Sequence, residues 1–281
     1  MSNSNPNSKL SSQFDSRPIG VFDSGIGGLT VLRELIKNFP DENFLYLGDT
    51  ARLPYGSKSA PTVRKYSEQN MNFLVSRDVK AIIVACNTAS TQISENIFSD
   101  RNVYNVIGPG SALAVQKTKN KKIAVLATAA TVKSDSYKKN IQQIDPDVSV
   151  VSVSCPLFVP LAEEGWHDDP ITEAVANRYL QELKQTDIDT VVLGCTHYPL
   201  LKNTLQKIFA NHVSLIDSGE AICDLLKRDF QSGFIQQNIS ENNQPLQICL
   251  TDFGQQFESI AIKLIGAVTT RPIHFETVSV I

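Results

Sequence analysis

From Ile19 almost to the C-terminus, short runs of branched apolar residues alternate with longer stretches whose apolar positions recur every three or four residues. Strands buried on both faces of a parallel sheet read as continuous apolar runs, whereas the three-to-four spacing marks amphipathic helices. The first series predicts strands at 19–22, 44–47, 81–85 and 103–107. Its helix at 29–39 places Leu32, Leu35, Ile36 and Phe39 on one face and stops before Pro40. Pro61 suits the first turn of a second helix, and a third is expected over 88–98. A second series predicts strands at 123–127, 148–153, 190–193 and 213–216, with helices at 134–144, 172–184 and 200–209. A last strand at 246–250 and a helix at 253–265 return to the first lobe.

Strand–helix alternation of this kind predicts an α/β fold: two similar lobes with mainly parallel sheets flanked by helices, and the active site in the cleft between them. The expected division is 18–110 plus 221–281 for the first lobe and 111–220 for the second. Residues 1–17, rich in Ser and Asn with almost no large apolar side chains, read as a disordered polar tail that cannot repay the entropy of ordering.

Length and composition narrow this picture. A chain of 281 residues has room for two cores. With 42% apolar and 20% charged residues, it has the composition of an ordinary soluble globular protein. A net charge of −3 gives no electrostatic footprint for nucleic acid or anionic lipid. No stretch approaches a membrane span, and the N-terminus lacks the apolar core of a secretory signal. The 5 cysteines, at positions 86, 155, 195, 223 and 249, form no C-x-x-C pair. An odd number in a chain of this size is no disulfide framework, so a cytoplasmic location is expected. Cys155, Cys223 and Cys249 read as small buried hydrophobes.

In open parallel sheets ligands bind beyond the carboxyl ends of the strands, and four motifs fall there. Asp23-Ser24-Gly25-Ile26-Gly27-Gly28 lets the backbone approach a ligand, but lacks the third glycine of a dinucleotide fingerprint and the Gly-Lys-Ser/Thr of a phosphate loop. Asp49, with Tyr55-Gly56 beyond it, either touches a ligand or caps a local turn. The motifs of greatest interest are Cys86-Asn87-Thr88 and Cys195-Thr196-His197, each following a predicted strand and opening a predicted helix. A helix N-terminus lowers a thiol's pKa and favours the thiolate. Two thiols in equivalent turns can stand on either face of a small substrate, where one removes a proton from carbon and the other replaces it. A cysteine–histidine nucleophile of hydrolase type is the competing chemistry. The ligand spacing disfavours a metal site. No lysine sits in a recognisable pyridoxal context, so no cofactor is expected and hydrogen bonds in a closed site would have to stabilise the carbanion.

Five blocks in this order, Ile19–Leu32, Leu53–Gly56, Cys86–Ala89, Cys155–Leu161 and Gly194–Pro199, resemble the signature blocks of bacterial glutamate racemase, in the aspartate/glutamate racemase superfamily. The resemblance implies that Cys86 takes the proton from D-glutamate and Cys195 from L-glutamate. It implies substrate contacts from Asp23, Ser24, Tyr55, Gly56, Asn87, Thr88, Thr196 and His197. It also implies that Asp23, Asp49, Glu163 and His197 assist the thiols, with Glu164 adjacent to Glu163 in a loop of open register. His197 stands where an aspartate-type enzyme carries Glu, which argues for glutamate. The product, D-glutamate, would supply peptidoglycan synthesis, and a homodimer is expected. An N-terminal extension goes, in parts of the family, with control by a cell-wall precursor. The alternatives are another two-cysteine racemase, of aspartate or hydantoin type, and a non-catalytic amino-acid-binding module.

Overall fold

The computed structural model describes residues 15–94, 96–209, 211–238 and 244–280. In chain order, the first half runs β1 (Ile19–Asp23), α1 (Leu29–Asn38), β2 (Phe44–Gly48), α2 (Ala60–Ser76), β3 (Ala81–Val84), α3 (Asn87–Ser90), β4 (Ile97–Phe98), β5 (Arg101–Asn105) and α4 (Ile107–Lys117). The second runs β6 (Lys122–Ala127), α5 (Ala129–Ser134), α6 (Ser136–Ile144), β7 (Ser149–Ser154), α7 (Phe158–Glu163), α8 (Pro170–Tyr179), β8 (Thr190–Gly194), α9 (Lys202–Phe209), β9 (Ser214–Asp217) and α10 (Ser218–Ser232). The chain closes with β10 (Leu246–Leu250), α11 (Gln255–Gly266) and β11 (Ile273–Thr277).

Two sheets result, a seven-stranded one of order β11-β10-β2-β1-β3-β5-β4 and a four-stranded one of order β7-β6-β8-β9. Among the described strands every pairing is parallel except β4 with β5. The α/β fold with helix-flanked parallel sheets is therefore present.

The segments β2-β1-β3-β5 and β7-β6-β8-β9 share one spatial order, so β3 and β8 are equivalent third strands. Each leads directly into a cysteine, Cys86 or Cys195. The Asp23-Ser24-Gly25 triplet recurs as Asp217-Ser218-Gly219, but the two are not equivalent: Asp23 ends the first strand of its series, and Asp217 ends the fourth. The helices after the fourth strands are exchanged. α4 follows β5 yet packs on α6, β8 and β9, while α10 follows β9 and packs on α1; α4 and α10 also meet each other. Ile222 and Leu226 of α10 share a core with Leu32, Leu35 and Ile36, and Ile107 and Ala114 of α4 share one with Val125, Val192 and Ile216.

Several elements depart from the expectations. The helix expected over 88–98 shrinks to α3, and the segment beyond it enters an antiparallel hairpin whose two loop residues, Ser99 and Asp100, have φ of 46° and 62°. Two consecutive positive-φ residues make a tight hairpin turn, normally signalled by Asn-Gly rather than Ser-Asp. The strand expected over 103–107 ends at Asn105 because α4 begins at Ile107. Gly108-Pro109-Gly110 reads as a breaker, but Pro109 sits in the first turn, where its missing N–H leaves no hydrogen bond unmade. Of the expected tail, residues 1–14 lie outside the described residues. Asp15 and Arg17 are held on the body: Arg17 pairs with Asp15 at 2.7 Å, and Lys80 donates to the Asp15 carbonyl at 2.8 Å while clasping buried Glu42 at 2.9 Å.

Candidate active site

The carboxyl edges of the two sheets face a cavity of 180 Å³, closer to the scale of an amino acid than of a nucleotide cofactor. Strands β3 and β8 are buried along their full length, which fixes where Cys86 and Cys195 emerge. Both cysteines line the cavity, together with Ser24, Tyr55, Gly56, Asn87, Thr88, Thr196 and His197. Asp23, Asp49 and Glu163 stand one layer back.

The two thiols differ in their surroundings. Cys86 is the N-cap of α3, its sulfur accepting from the Ala89 N–H at 3.5 Å and lying 3.8 Å from Ser24 Oγ. Burial pushes its pKa up, the neighbouring Asp23 carboxylate adds to this, and Cys195 contributes a smaller push. The expected lowering by a helix terminus is thus overridden: α3 has only four residues, too few for a strong dipole, and burial beside Asp23 favours the protonated thiol. Cys195 does not open an α-helix, because a 3₁₀ turn, Tyr198–Leu201, precedes α9. Its polar neighbour is a histidine instead. His197 Nδ1 lies 3.8 Å from the Cys195 sulfur, and Nε2 lies 3.0 Å from Glu163 Oε1. Glu163, not Glu164, is therefore the carboxylate that meets the ring.

His197 is only 5% exposed. Burial alone would lower its pKa, yet the Cys195 and Glu163 hydrogen bonds and the Asp23 charge outweigh it and raise the value from 6.5 to about 10. An imidazolium beside the sulfur is a partner for a thiolate at Cys195. A folded-state pKa raised above the unfolded value adds stability that is complete below pH 6.5 and lost as pH climbs through about 10. Thermal melts between pH 6.5 and 10 are accordingly expected to show a falling Tm in the parent and a flatter profile in His197→Asn. Parallel profiles would contradict the charged imidazole.

Asp23 is fully buried; desolvation raises its pKa against the opposing pull of His197 and of the Gly25 and Gly28 amides. Its Oδ1 accepts from Thr196 Oγ1 across the cleft at 3.2 Å. Asp49 is turned away from the cavity. It accepts from Arg52 Nε at 2.7 Å, from Thr251 Oγ1 at 3.0 Å and from the Tyr55 hydroxyl, to which Asn70 also donates. The chemistry available to Asp49 is therefore to hold Tyr55 in place.

Asn87 is 2% exposed, and its Oδ1 accepts from the Tyr137 hydroxyl at 2.6 Å and Ser218 Oγ at 3.3 Å. Its Nδ2 is left without a partner. A buried amide donor with no acceptor is costly, and in the wall of a cavity it is suited to an oxygen of a bound molecule. Thr88 Oγ1 meets Thr128 Oγ1 at 2.9 Å, joining the two sheets.

Thr128, Ala129, Pro156, Val159 and Pro160 also line the cavity; none was named as a site residue from the sequence, although Pro156, Val159 and Pro160 lie in the Cys155–Leu161 block. Thr128 follows β6, so the strand-end rule applied to that strand would have found it. Tyr137 and Ser218 act through Asn87; Tyr137 lies in no motif, and Ser218 lies in the Asp217-Ser218-Gly219 repeat, which by itself points to no site role. Among the described residues no group of three or more His, Cys, Asp and Glu side chains is arranged to hold a metal. No described helix is long and apolar enough to cross a membrane.

Residues 28–226 match the family model described as Asp/Glu/Hydantoin racemase. The chain is 43% identical over 260 residues to the glutamate racemase of Sulfurihydrogenibium sp. (strain YO3AOP1), covering 92% of this chain and 97% of that protein. Its fold matches glutamate racemase from Francisella tularensis subsp. tularensis SCHU S4, solved in complex with D-glutamate, with a TM-score of 0.85 and 37% identity over 94% of this chain and 98% of that one. It also matches Escherichia coli glutamate racemase, solved with L-glutamate and the activator UDP-MurNAc-ala, with a TM-score of 0.75 and 26% identity over 94% and 99% of the two chains. With this coverage, and with the cavity formed where the two sheets meet, the chain belongs to the Asp/Glu/hydantoin racemase family and is an isomerase.

Proposed function

We propose that the chain interconverts L- and D-glutamate by two-base proton transfer without a cofactor. The observation that carries this reading is the pair of buried thiols, Cys86 and Cys195, at equivalent strand ends and lining one amino-acid-sized cavity. In the L-to-D direction the Cys195 thiolate takes the α-proton. The S–H bond forms, the C–H bond breaks, and the electron pair stays on the α-carbon, delocalised into the carboxylate. The Cys86 thiol then gives its proton to the opposite face, leaving D-glutamate and a Cys86 thiolate. The D-to-L direction runs this in reverse. Burial and Asp23 favour the protonated form of Cys86, and the His197 imidazolium stands where it can accompany the charge that proton transfer places on the Cys195 sulfur.

Hydrogen-bond donors, among them Asn87 Nδ2 and the hydroxyls of Ser24, Thr88 and Thr196, would carry the substrate's carboxylates and the developing charge. The Cys195–His197–Glu163 chain also resembles a nucleophile with its base and orienting acid, but a hydrolase gives Cys86 no role. Glutamate rather than aspartate is favoured by the relatives' substrate and by His197 following Cys195-Thr196. The reading extends to supply of D-glutamate for peptidoglycan, to a homodimer, and to control by a cell-wall precursor of the kind that activates the E. coli relative.

Circular dichroism of L- or D-glutamate incubated with chelator-treated protein tests the reaction. Ellipticity decaying to zero from both enantiomers, with aspartate slower, is the expected result. Unchanged ellipticity would leave the binding module, and faster aspartate turnover would move the substrate assignment.

A further inference from the structure

One buried side chain reaches both cysteine turns. Tyr137, in the first turn of α6, is 2% exposed and stands outside the wall of the catalytic cavity. Its ring lies in a slot that two glycines leave open. A Cβ at Gly194, the residue before Cys195, would stand 3.1 Å from Cε2, and one at Gly110 of α4 would stand 3.4 Å from Cε1. The hydroxyl reaches the other turn and donates at 2.6 Å to Oδ1 of Asn87, the residue after Cys86. The backbone before the ring sets its aim. Asp135 takes φ of 59° between α5 and α6, a left-handed conformation unfavourable for a residue with a Cβ, and α6 starts afresh from that break.

What the hydroxyl does follows from the chemistry of an amide. The two arms of a carboxamide have nearly the same shape, and only their hydrogen-bond partners decide which arm faces where. Tyr137 and Ser218 both donate to Asn87 Oδ1, the second at 3.3 Å. Burial pushes the Tyr137 phenol above its ordinary pKa, so the hydroxyl keeps its proton. With Oδ1 engaged twice, the partnerless Nδ2 is the arm left for a bound molecule. Tyr137 follows β6 and Ser218 follows β9, both in the four-stranded sheet, whereas Asn87 follows β3 in the seven-stranded one. The amide is therefore oriented from across the junction of the two sheets.

From this geometry we infer that Tyr137 is a positioning residue: lodged against the Cys195 turn, it fixes the Asn87 amide beside Cys86 so that Nδ2 meets a carboxylate oxygen of the substrate. The inference rests on the glutamate reading for that substrate. A carboxylate contact is made before proton transfer and kept through it, so weakening the contact raises KM more than it lowers kcat. Because the equilibrium constant between enantiomers is one, kcat/KM falls by the same factor in both directions.

The test is a double-mutant cycle of Tyr137→Phe and Asn87→Ala in the full chain, followed by polarimetry from both enantiomers and by thermal melting. Tyr137→Phe keeps the ring in its slot and removes one oxygen. KM for L- and D-glutamate should rise about fivefold or more, with kcat within about twofold of the parent. In the Asn87→Ala background the same substitution should change kcat/KM by less than about twofold, because the amide it orients is gone. Tyr104→Phe, which removes a hydroxyl bonded to Asp229 instead, is the control and should match the parent. An unchanged KM in Tyr137→Phe, or a loss that persists undiminished without Asn87, would overturn the inference. A parent that turns over neither enantiomer would fail the glutamate reading alone. The melting half of the cycle then decides, as it does if Asn87→Ala is too slow to follow: losses in Tm that are less than additive support the link between Tyr137 and Asn87, and additive losses overturn it.

Discussion

Replacing either Cys86 or Cys195 by alanine is expected to stop racemisation in both directions while the protein stays folded. In the proposed mechanism each thiol moves the proton on its own face of the cavity, and loss of a positioned acid or base typically costs about 10²–10⁴-fold. In that mechanism each residue serves as base in one direction and acid in the other, so both kcat values fall together. Both side chains are small and buried, at 5% and 6% exposure, and their deletion opens little space. The check pairs polarimetry with thermal melting: activity should fall by at least about 10²-fold with Tm within a few degrees of the parent. A variant within about tenfold of the parent, a barrier change near 1.4 kcal/mol, would show that its cysteine is not an essential base.

Gly27→Ala is expected to have the next largest effect, for a reason unrelated to proton chemistry. A Cβ at Gly27 would stand 2.4 Å from His197 Nδ1 and 2.4 Å from Thr196 Oγ1, on the opposite side of the cleft. Neither atom can yield without disturbing the ring beside Cys195 or the Thr196 link to Asp23, so the two halves must part. Gly56, whose Cβ would meet Thr128 at 2.8 Å, makes a similar approach at the other side of the cavity. Displacements near 1 Å in reacting groups cost about 10²-fold, and a loss of that size in kcat/KM is expected, with Tm little changed. Gly266→Ala, which meets open space, is the control and should be neutral. A Gly27→Ala enzyme within about threefold of the parent would mean that the cleft works without this contact.

The strand–helix alternation was legible because a parallel sheet buries whole runs such as Ala81–Val84 and Thr190–Gly194, leaving a continuous apolar signal. What escaped was set by tertiary context. α4 hides behind Gly108-Pro109-Gly110, and its apolar face matters only because it crosses to pack beside α6. The hairpin at Ser99-Asp100 carries no strong turn signal. At the site, the paired cysteines stood out because a repeated motif marks a repeated place in the fold. Asp49 and Glu163 look alike in a string of letters. Only packing shows that Asp49 is bound to Arg52 and Tyr55, whereas Glu163 meets the His197 ring. The thiol pKa of Cys86 was read in the wrong direction, because a sequence shows the helix that follows but not the depth of burial or the buried Asp23 beside it.

The central claim, two opposed thiols of which one takes a proton while the other gives one, is tested most directly by isotope incorporation in deuterated water. Stereochemically resolved mass spectrometry at low conversion, started once from L- and once from D-glutamate, follows both pools. A thiol exchanges its proton with solvent between turnovers, so the product should carry solvent deuterium from its first appearance while the recovered substrate carries almost none, in both directions. Product that retains the substrate's own hydrogen, or substantial deuterium in the starting enantiomer from both sides, would show one base serving both faces and would contradict the assignment of Cys86 and Cys195.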